Sequence, residues 1–307
     1  MLSGVYEFLP QDRVIFGRPA SEAVAETADR MAKRRLLIVA SRTLNRKTDV
    51  VSKIRSALGE RCLGVFDECV EHVPRASVLA LASAVRNSEP DLIVTVGGGT
   101  PIDTVKVMLL ALAAGVNDEA GFDGMRIRVG TDGTRVVPAI KDSPLRQVIV
   151  PTTLSGAEFS NLGGCTDPVR KVKDLYTGRL IGGQVVILDP AVTVYTPPGL
   201  WLSTGIRAVD HAVETICSRK PQPSLTPRAF THCGYCLNRC RPIMPTRPIL
   251  PLASTVSSRF GWRRPAWAAS IGAPATASVI NSALSPTCRT DIVHASCCRA
   301  CCVGTGR

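Results

Sequence analysis

Apolar residues in the first two thirds of the chain follow two alternating patterns. Short continuous runs at Leu36 to Ala40, Cys62 to Phe66, Asp91 to Val96 and Gln147 to Val150 have the length of buried strands, and Arg13 to Phe16 is an earlier, shorter candidate. Between them, Val50, Val51, Ile54 and Leu58, then Val78, Leu81, Ala82 and Val85, recur at helical spacing. Strands alternating with helices at this interval predict an α/β domain: a parallel sheet with helices on both faces. From Gly115 to Pro144 the pattern loosens, which predicts an excursion or hairpin over the sheet.

The third long strand runs into Gly97, Gly98 and Gly99, followed by Thr100, Pro101 and Asp103. Thr100 suits an N-cap, Pro101 the first helical position, and Asp103 the place of the acid in a capping box. Glycines let a backbone approach a ligand closely, and the N–H groups of a first helical turn attract phosphate. A tight turn without a ligand would not require three of them. The usual dinucleotide fingerprint follows the first strand of its unit, but here Ser41-Arg42-Thr43 occupies that place. A P-loop is excluded because Lys106 is followed by Val107. After the Gln147 strand, Thr152, Thr153 and Ser155 offer hydroxyl groups to phosphate, ribose or a carboxamide.

Charge and cysteine content divide the chain. The formal net charge is +12, yet residues 1–220 carry 27 basic against 24 acidic side chains, while residues 221–307 carry ten arginines, no lysine and one acid, Asp291. Eight of the twelve cysteines also lie after residue 220. Cys233, Cys236 and Cys240 with His232, and Cys297, Cys298, Cys301 and Cys302 with His294, invite a zinc reading, but the gap between the groups is too long for a zinc ribbon. This Arg-, Pro- and Cys-rich tail lacks helical or strand period and has the composition of a GC-rich coding strand read out of frame; an irregular or disordered tail is expected. It holds few aromatics and no base-reading motif, so no nucleic-acid partner is expected. No run reaches the roughly 18 apolar residues of a membrane span, and the start lacks a signal-peptide pattern, so a cytoplasmic protein without a membrane partner is expected.

Five ordered motifs, "RVIFG" (13–17), "GGGTPIDTVK" (97–106), "PTTLSGAE" (151–158), "VVILDPAVTVYTP" (185–197) and "GIRAVDHAVE" (205–214), resemble the iron-containing alcohol dehydrogenase superfamily, which includes glycerol dehydrogenase, dehydroquinate synthase and maleylacetate reductase. The resemblance implies an NAD(P)-binding α/β domain over residues 1–190, the start of an all-α catalytic domain over 191–220, and a cleft between them. Gly97, Gly98, Gly99 and Thr100 would hold the pyrophosphate of NAD or NADP, and Thr152, Thr153 and Ser155 would line the cofactor cleft. Asp103 matches the family's helix-start acid, with capping as its plain alternative. The family's lysine near the ribose would be Lys171 or Lys173. An acid at the end of the second long strand favours NAD, and Asp67 and Glu68 are the candidates.

Metal-dependent members resemble G-x-D-A-x-x-H-A-x-E, with Asp and His four residues apart on one helix face. Here His211 is present and Arg207 occupies the Asp position. A cation is no metal ligand, so no metal is expected. Maleylacetate reductase-like members also lack the Asp, and their keto-acid substrates offer carboxylates to grip. The expected reaction is hydride transfer between a nicotinamide and a carbonyl or alcohol, with His211 as proton donor and Arg207 as carboxylate clamp. The alternatives are a metal-dependent alcohol or glycerol dehydrogenase, or a catalytically dead NAD(P)-binding remnant. With a complete helical domain, a homodimer acting on a small-molecule substrate is expected.

Overall fold

A computed structural model describes residues 9–217; the tail with its cysteines lies outside the described residues. The elements run β1 (Arg13–Phe16), α1 (Ala20–Arg30), β2 (Leu36–Ala40), α2 (Arg42–Lys47), α3 (Val50–Leu58), β3 (Cys62–Phe66), α4 (Arg75–Ser88), β4 (Leu92–Gly97) and α5 (Gly99–Ala113). Then come α6 (Phe122–Met125), β5 (Arg128–Val129), β6 (Arg135–Val136), β7 (Gln147–Pro151), β8 (Leu162–Asp167), β9 (Val172–Thr177), β10 (Gly183–Leu188), α7 (Pro190–Thr193) and α8 (Pro198–Ile216). Every strand expected from the apolar runs is present at or within one residue of its expected bounds. Two helices, α2 and α3, follow β2, and β5 and β6 form the short hairpin of the excursion.

Six strands form one parallel sheet in the order β1-β10-β7-β4-β2-β3. Alternate residues face opposite layers, as the strand period requires. Leu36, Ile38, Ala40, Val94, Val96, Val148 and Ile187 pack with Val24 of α1 and Ile54 of α3. Leu37, Val39 and Ile93 pack on the other side with Leu81 of α4 and Met108 of α5. The expected three-layer α/β architecture is therefore present.

The topology also places the site. β3 lies outside β2, and the chain then crosses to β4 on the other side of β2. Ligands of open α/β sheets bind above the carboxyl ends of the strands at such a reversal, here between Ser41 and Gly97.

Apolar periodicity does not reveal the antiparallel pair β8 and β9, whose "LGGCTD" and "VKDLYT" mix glycine and charge. This hairpin covers the outer side of α5, which explains why ten of that helix's 15 residues are buried and why its apolar surface runs almost all round. Cys165 and Tyr176 anchor it in the second core, with Tyr176 edge-on to Phe122 at 6.1 Å between ring centres. Its far end is held by Arg75, buried over the Phe122 ring, whose Nη2 lies 2.8 Å from Asp123 Oδ1, 3.1 Å from Asp167 Oδ2 and 3.4 Å from Asp174 Oδ2. Arg170 reaches Asp167 and Asp174 from the opposite side. With Arg126, 3.6 Å from Asp123 and 3.9 Å from Asp174, three guanidiniums balance the three clustered carboxylates. The backbone N–H of Arg170, with lesser help from the Val169 N–H and the guanidiniums, holds the Asp167 carboxyl down to about 2.

Candidate functional site

The glycine turn begins the helix earlier than its side chains suggest. Gly97 ends β4 at φ +150°, Gly98 is the extended cap residue and Gly99 is already the first residue of α5. Thr100 is therefore inside the helix, not its N-cap, and no side chain caps α5. The expected capping box is absent because Asp103 falls on the second turn, beyond reach of the cap. Its Oδ2 accepts the Gly164 N–H at 3.3 Å, and it lies 3.7 Å from the Lys106 ammonium and 3.8 Å from that of Lys173. Asp103 thus links the cradle helix to the β8–β9 hairpin.

An uncapped first turn leaves N–H groups without helical partners. Ile102 N–H already bonds Gly98 O at 3.5 Å, and Pro101 has no N–H, so the open donors are those of Gly99 and Thr100. At Gly97 and Gly98 neighbouring side chains leave no room for a Cβ. A Cβ on Gly97 would meet Pro101 Cγ at 2.6 Å, and one on Gly98 would meet Thr153 Cγ2 at 2.8 Å. Gly99 faces the Ser155 hydroxyl at ordinary contact distance.

Strand β7 delivers the second wall. Thr152 N–H donates to Gly97 O at 3.0 Å, and the Thr153 hydroxyl donates to Ser155 Oγ at 3.3 Å. Thr152 and Thr153 are buried and Ser155 is half-buried. The residues expected to meet phosphate and to line the cleft therefore share one surface at the switch point. A nucleotide diphosphate fits this surface: it offers the anion that the bare Gly99 and Thr100 N–H groups lack.

Below that wall, Lys106 is fully buried, and its ammonium donates to Ala157 O at 2.6 Å and Leu162 O at 2.9 Å. It fixes the backbone that follows Ser155. The "DTVK" spacing made this lysine visible, but its tertiary acceptors were not. Of the two lysines proposed for the ribose, Lys173 is drawn to Asp103. Lys171 occupies the hairpin turn at φ +54°, exposed to solvent, so the hairpin does not bring it to the cradle.

Helix α8 is tied to the same strand end. The Thr196 hydroxyl donates to Thr152 O at 2.7 Å, and Leu154 N–H donates to Thr204 Oγ1 at 3.2 Å. These threonines went unrecognised in the sequence because a lone hydroxyl carries no spacing signal. Asp189 was findable from its Asp-Pro pair: it caps α7 through Ala191 N–H at 2.9 Å and also accepts Ala20 N–H from α1 at 2.8 Å.

Arg207 and His211 are one helical turn apart on α8. Arg207 Nη1 lies 3.1 Å from Asp210 Oδ2, and both side chains are about half exposed, while His211 is half-buried. The guanidinium expected as a substrate clamp is thus engaged by its own helix, and an incoming carboxylate has to share it with Asp210. The described part of α8 does not fit a metal ion. Among the described side chains of α8, the carboxylate beside His211 is that of Asp210, and Arg207 engages it.

Fold and site together define a doubly wound α/β domain with a glycine turn and an uncapped helix start at its switch point. The chain belongs to the iron-containing alcohol dehydrogenase family, whose model matches residues 10–190. It is 33% identical over 206 residues to Dehydrogenase FUM7 of Gibberella moniliformis, covering 66% of this chain and 48% of that protein. It is 26% identical over 210 residues to a maleylacetate reductase of Sphingobium indicum, covering 68% and 49%. The chain thus spans about half the length of these relatives. Among solved structures, a maleylacetate reductase from Agrobacterium tumefaciens superposes with a TM-score of 0.61 at 24% identity, covering 79% of this chain and 59% of that one. A sulfoacetaldehyde reductase from Bifidobacterium kashiwanohense in complex with NAD+ gives 0.65 at 21%, covering 77% and 60%. At these identities the two structures speak for the fold. Among the described residues no helix is long and apolar enough to cross a membrane.

Proposed function

We propose that this chain carries the cofactor half and the first catalytic helix of an NAD(P)H-linked carbonyl reductase of maleylacetate reductase type. The observation that carries the reading is the joint surface of Gly98, Gly99 and Thr153, where bare helix-start N–H groups face a hydroxyl-lined strand end. The N–H groups of Gly99 and Thr100 donate to pyrophosphate oxygens, and the Thr152, Thr153 and Ser155 side chains orient the neighbouring groups. A nicotinamide bound there supplies hydride to a carbonyl carbon. His211 holds the proton that the carbonyl oxygen takes up, and Arg207 attracts a carboxylate of a keto-acid substrate in competition with Asp210. The cation at Arg207 supports a reaction without a metal, and no step here uses one.

A titration of the purified chain with NADH, followed by cofactor fluorescence with and without added Fe²⁺ or Zn²⁺, tests the reading. Saturable binding that ignores both metals is expected. Binding that appears only with metal, or none at all, sinks it.

A further inference from the structure

The Cβ of Ser41, at the end of β2, lies 3.6 Å from the position a Cβ on Gly97 would take, so Ser41 directly adjoins the cradle. In an adenosine diphosphate the ribose follows the pyrophosphate by one methylene. A nucleotide seated on Gly97 to Gly99 with its nicotinamide towards Thr152 and Ser155 therefore lays its adenosine ribose over the ends of β2 and β3.

An acid in that region would accept the ribose 2′-hydroxyl and favour NAD, whereas an arginine would accommodate a 2′-phosphate. Asp67, which the sequence offered for the first role, is not open to play it. Its Oδ2 accepts Arg46 Nε at 2.8 Å and Asn45 Nδ2 at 3.0 Å, and its Oδ1 accepts Arg46 Nη2 at 3.3 Å. The Arg46 hydrogen bonds and the Asn45 amide hold its carboxyl below the usual range, so it remains ionised and engaged. Glu68 points to solvent and acts on Arg46 only through its field.

Two polar groups at the ribose edge are left over. Arg42, the exposed first residue of α2, makes no hydrogen bond or ion pair among the described residues and influences Asp67 through its field alone. Ser41 precedes it as the cap of α2 without a side-chain capping bond. Arg42 and Arg46 are one turn apart on the same helix face, which gathers positive charge beside the end of β2.

We infer that Ser41, Arg42 and Arg46 form a 2′-phosphate site that selects NADP(H) over NAD(H). This rests on the cofactor reading above. Arg46 uses its Nε and Nη2 on Asp67, which withholds that carboxylate from a free 2′-hydroxyl and leaves Nη1 to add its charge to the phosphate. The open guanidinium of Arg42 can offer a fork that matches phosphate geometry, which a single lysine charge does not.

The test is equilibrium binding to the whole chain, read by NADPH and NADH fluorescence and by displacement with 2′,5′-ADP and 5′-AMP. NADPH is expected to bind at least about tenfold more tightly than NADH, and 2′,5′-ADP to displace either dinucleotide better than 5′-AMP does. Arg42→Leu brings the affinity ratio near one, Arg42→Lys keeps part of it, and Arg46→Leu, by releasing Asp67, moves it towards NADH. Equal affinities, tighter NADH, or a ratio unchanged in Arg42→Leu overturns the inference while leaving the cofactor reading intact. Failure of both dinucleotides to bind overturns the two together.

Discussion

Gly98 and Thr153 are one methyl group apart: a Cβ on the glycine would stand 2.8 Å from Thr153 Cγ2 and 3.2 Å from Thr153 Oγ1. Gly98→Ala is therefore expected to push the glycine turn away from β7 and weaken dinucleotide binding by about tenfold, roughly 1.4 kcal/mol. Thr153→Ser removes the offending methyl, so the double variant should regain much of the loss. Fluorescence titration of the four proteins completes the cycle; a double variant no better than Gly98→Ala refutes this account of the contact.

Lys106 is a buried cation with two carbonyl acceptors and a nearby carboxylate, Asp103. Lys106→Met leaves Ala157 O, Leu162 O and Asp103 without it, and a loss of about 3 kcal/mol of stability is expected. Urea unfolding measures this. A change under about 0.5 kcal/mol, the size of an ordinary surface substitution, would mean that the lysine is dispensable to the wall behind Ser155.

The Asp167 carboxyl titrates at about 2 in the folded chain, against 3.8 without the fold. A folded-state value below the unfolded one means stabilisation that is complete above about pH 4 and is lost as the pH falls through about 2. The urea midpoint should therefore drop across that interval. Asp167→Asn should be less stable at pH 6 and show a shallower acid decline; two parallel pH curves would contradict it.

Arg75 holds Asp123, Asp167 and Asp174 from a position only 5% exposed at its side chain. Arg75→Met leaves three carboxylates facing one another, with Arg170 the main remaining counter-charge. A loss of about 3–5 kcal/mol is expected from breaking the buried network on one side. Thermal unfolding followed by circular dichroism checks it, and an unchanged midpoint is incompatible with the network's role.

His211→Gln is expected to lower kcat for keto-acid reduction by about 10²–10⁴-fold, the range for a general acid, with NADPH affinity within about twofold. Arg207→Asp should raise the KM for the keto acid, because the substrate carboxylate then meets a like charge. Unchanged keto-acid turnover in Arg207→Asp would remove the clamp from the mechanism.

Strand positions were legible because Leu36 to Ala40, β4 and β7 are buried at every position, which writes an almost uninterrupted apolar run into the chain. The cradle was legible for a similar local reason: three adjacent glycines follow a strand and precede a proline. The exact helix start was not. Thr100 and Asp103 have the right chemistry for a cap, but Gly97 turns the backbone too soon for them to use it. The β8–β9 hairpin escaped because its job is to cover α5, so only scattered residues such as Cys165 and Tyr176 face inward. Lys173 could be separated from Lys171 only by strand register, since Lys173 pairs with Thr166 inside the ladder while Lys171 occupies the turn.

The outermost strand has a consequence for how the chain is made. Among the described residues β1 pairs with β10 alone, setting Arg13 beside Val185. During synthesis the first strand therefore emerges long before its partner and must wait, with Phe16 and Ile15 unpaired, until translation passes Leu188. Closing so long a loop is slow, and in that interval the nascent edge is open to pairing with the wrong strand.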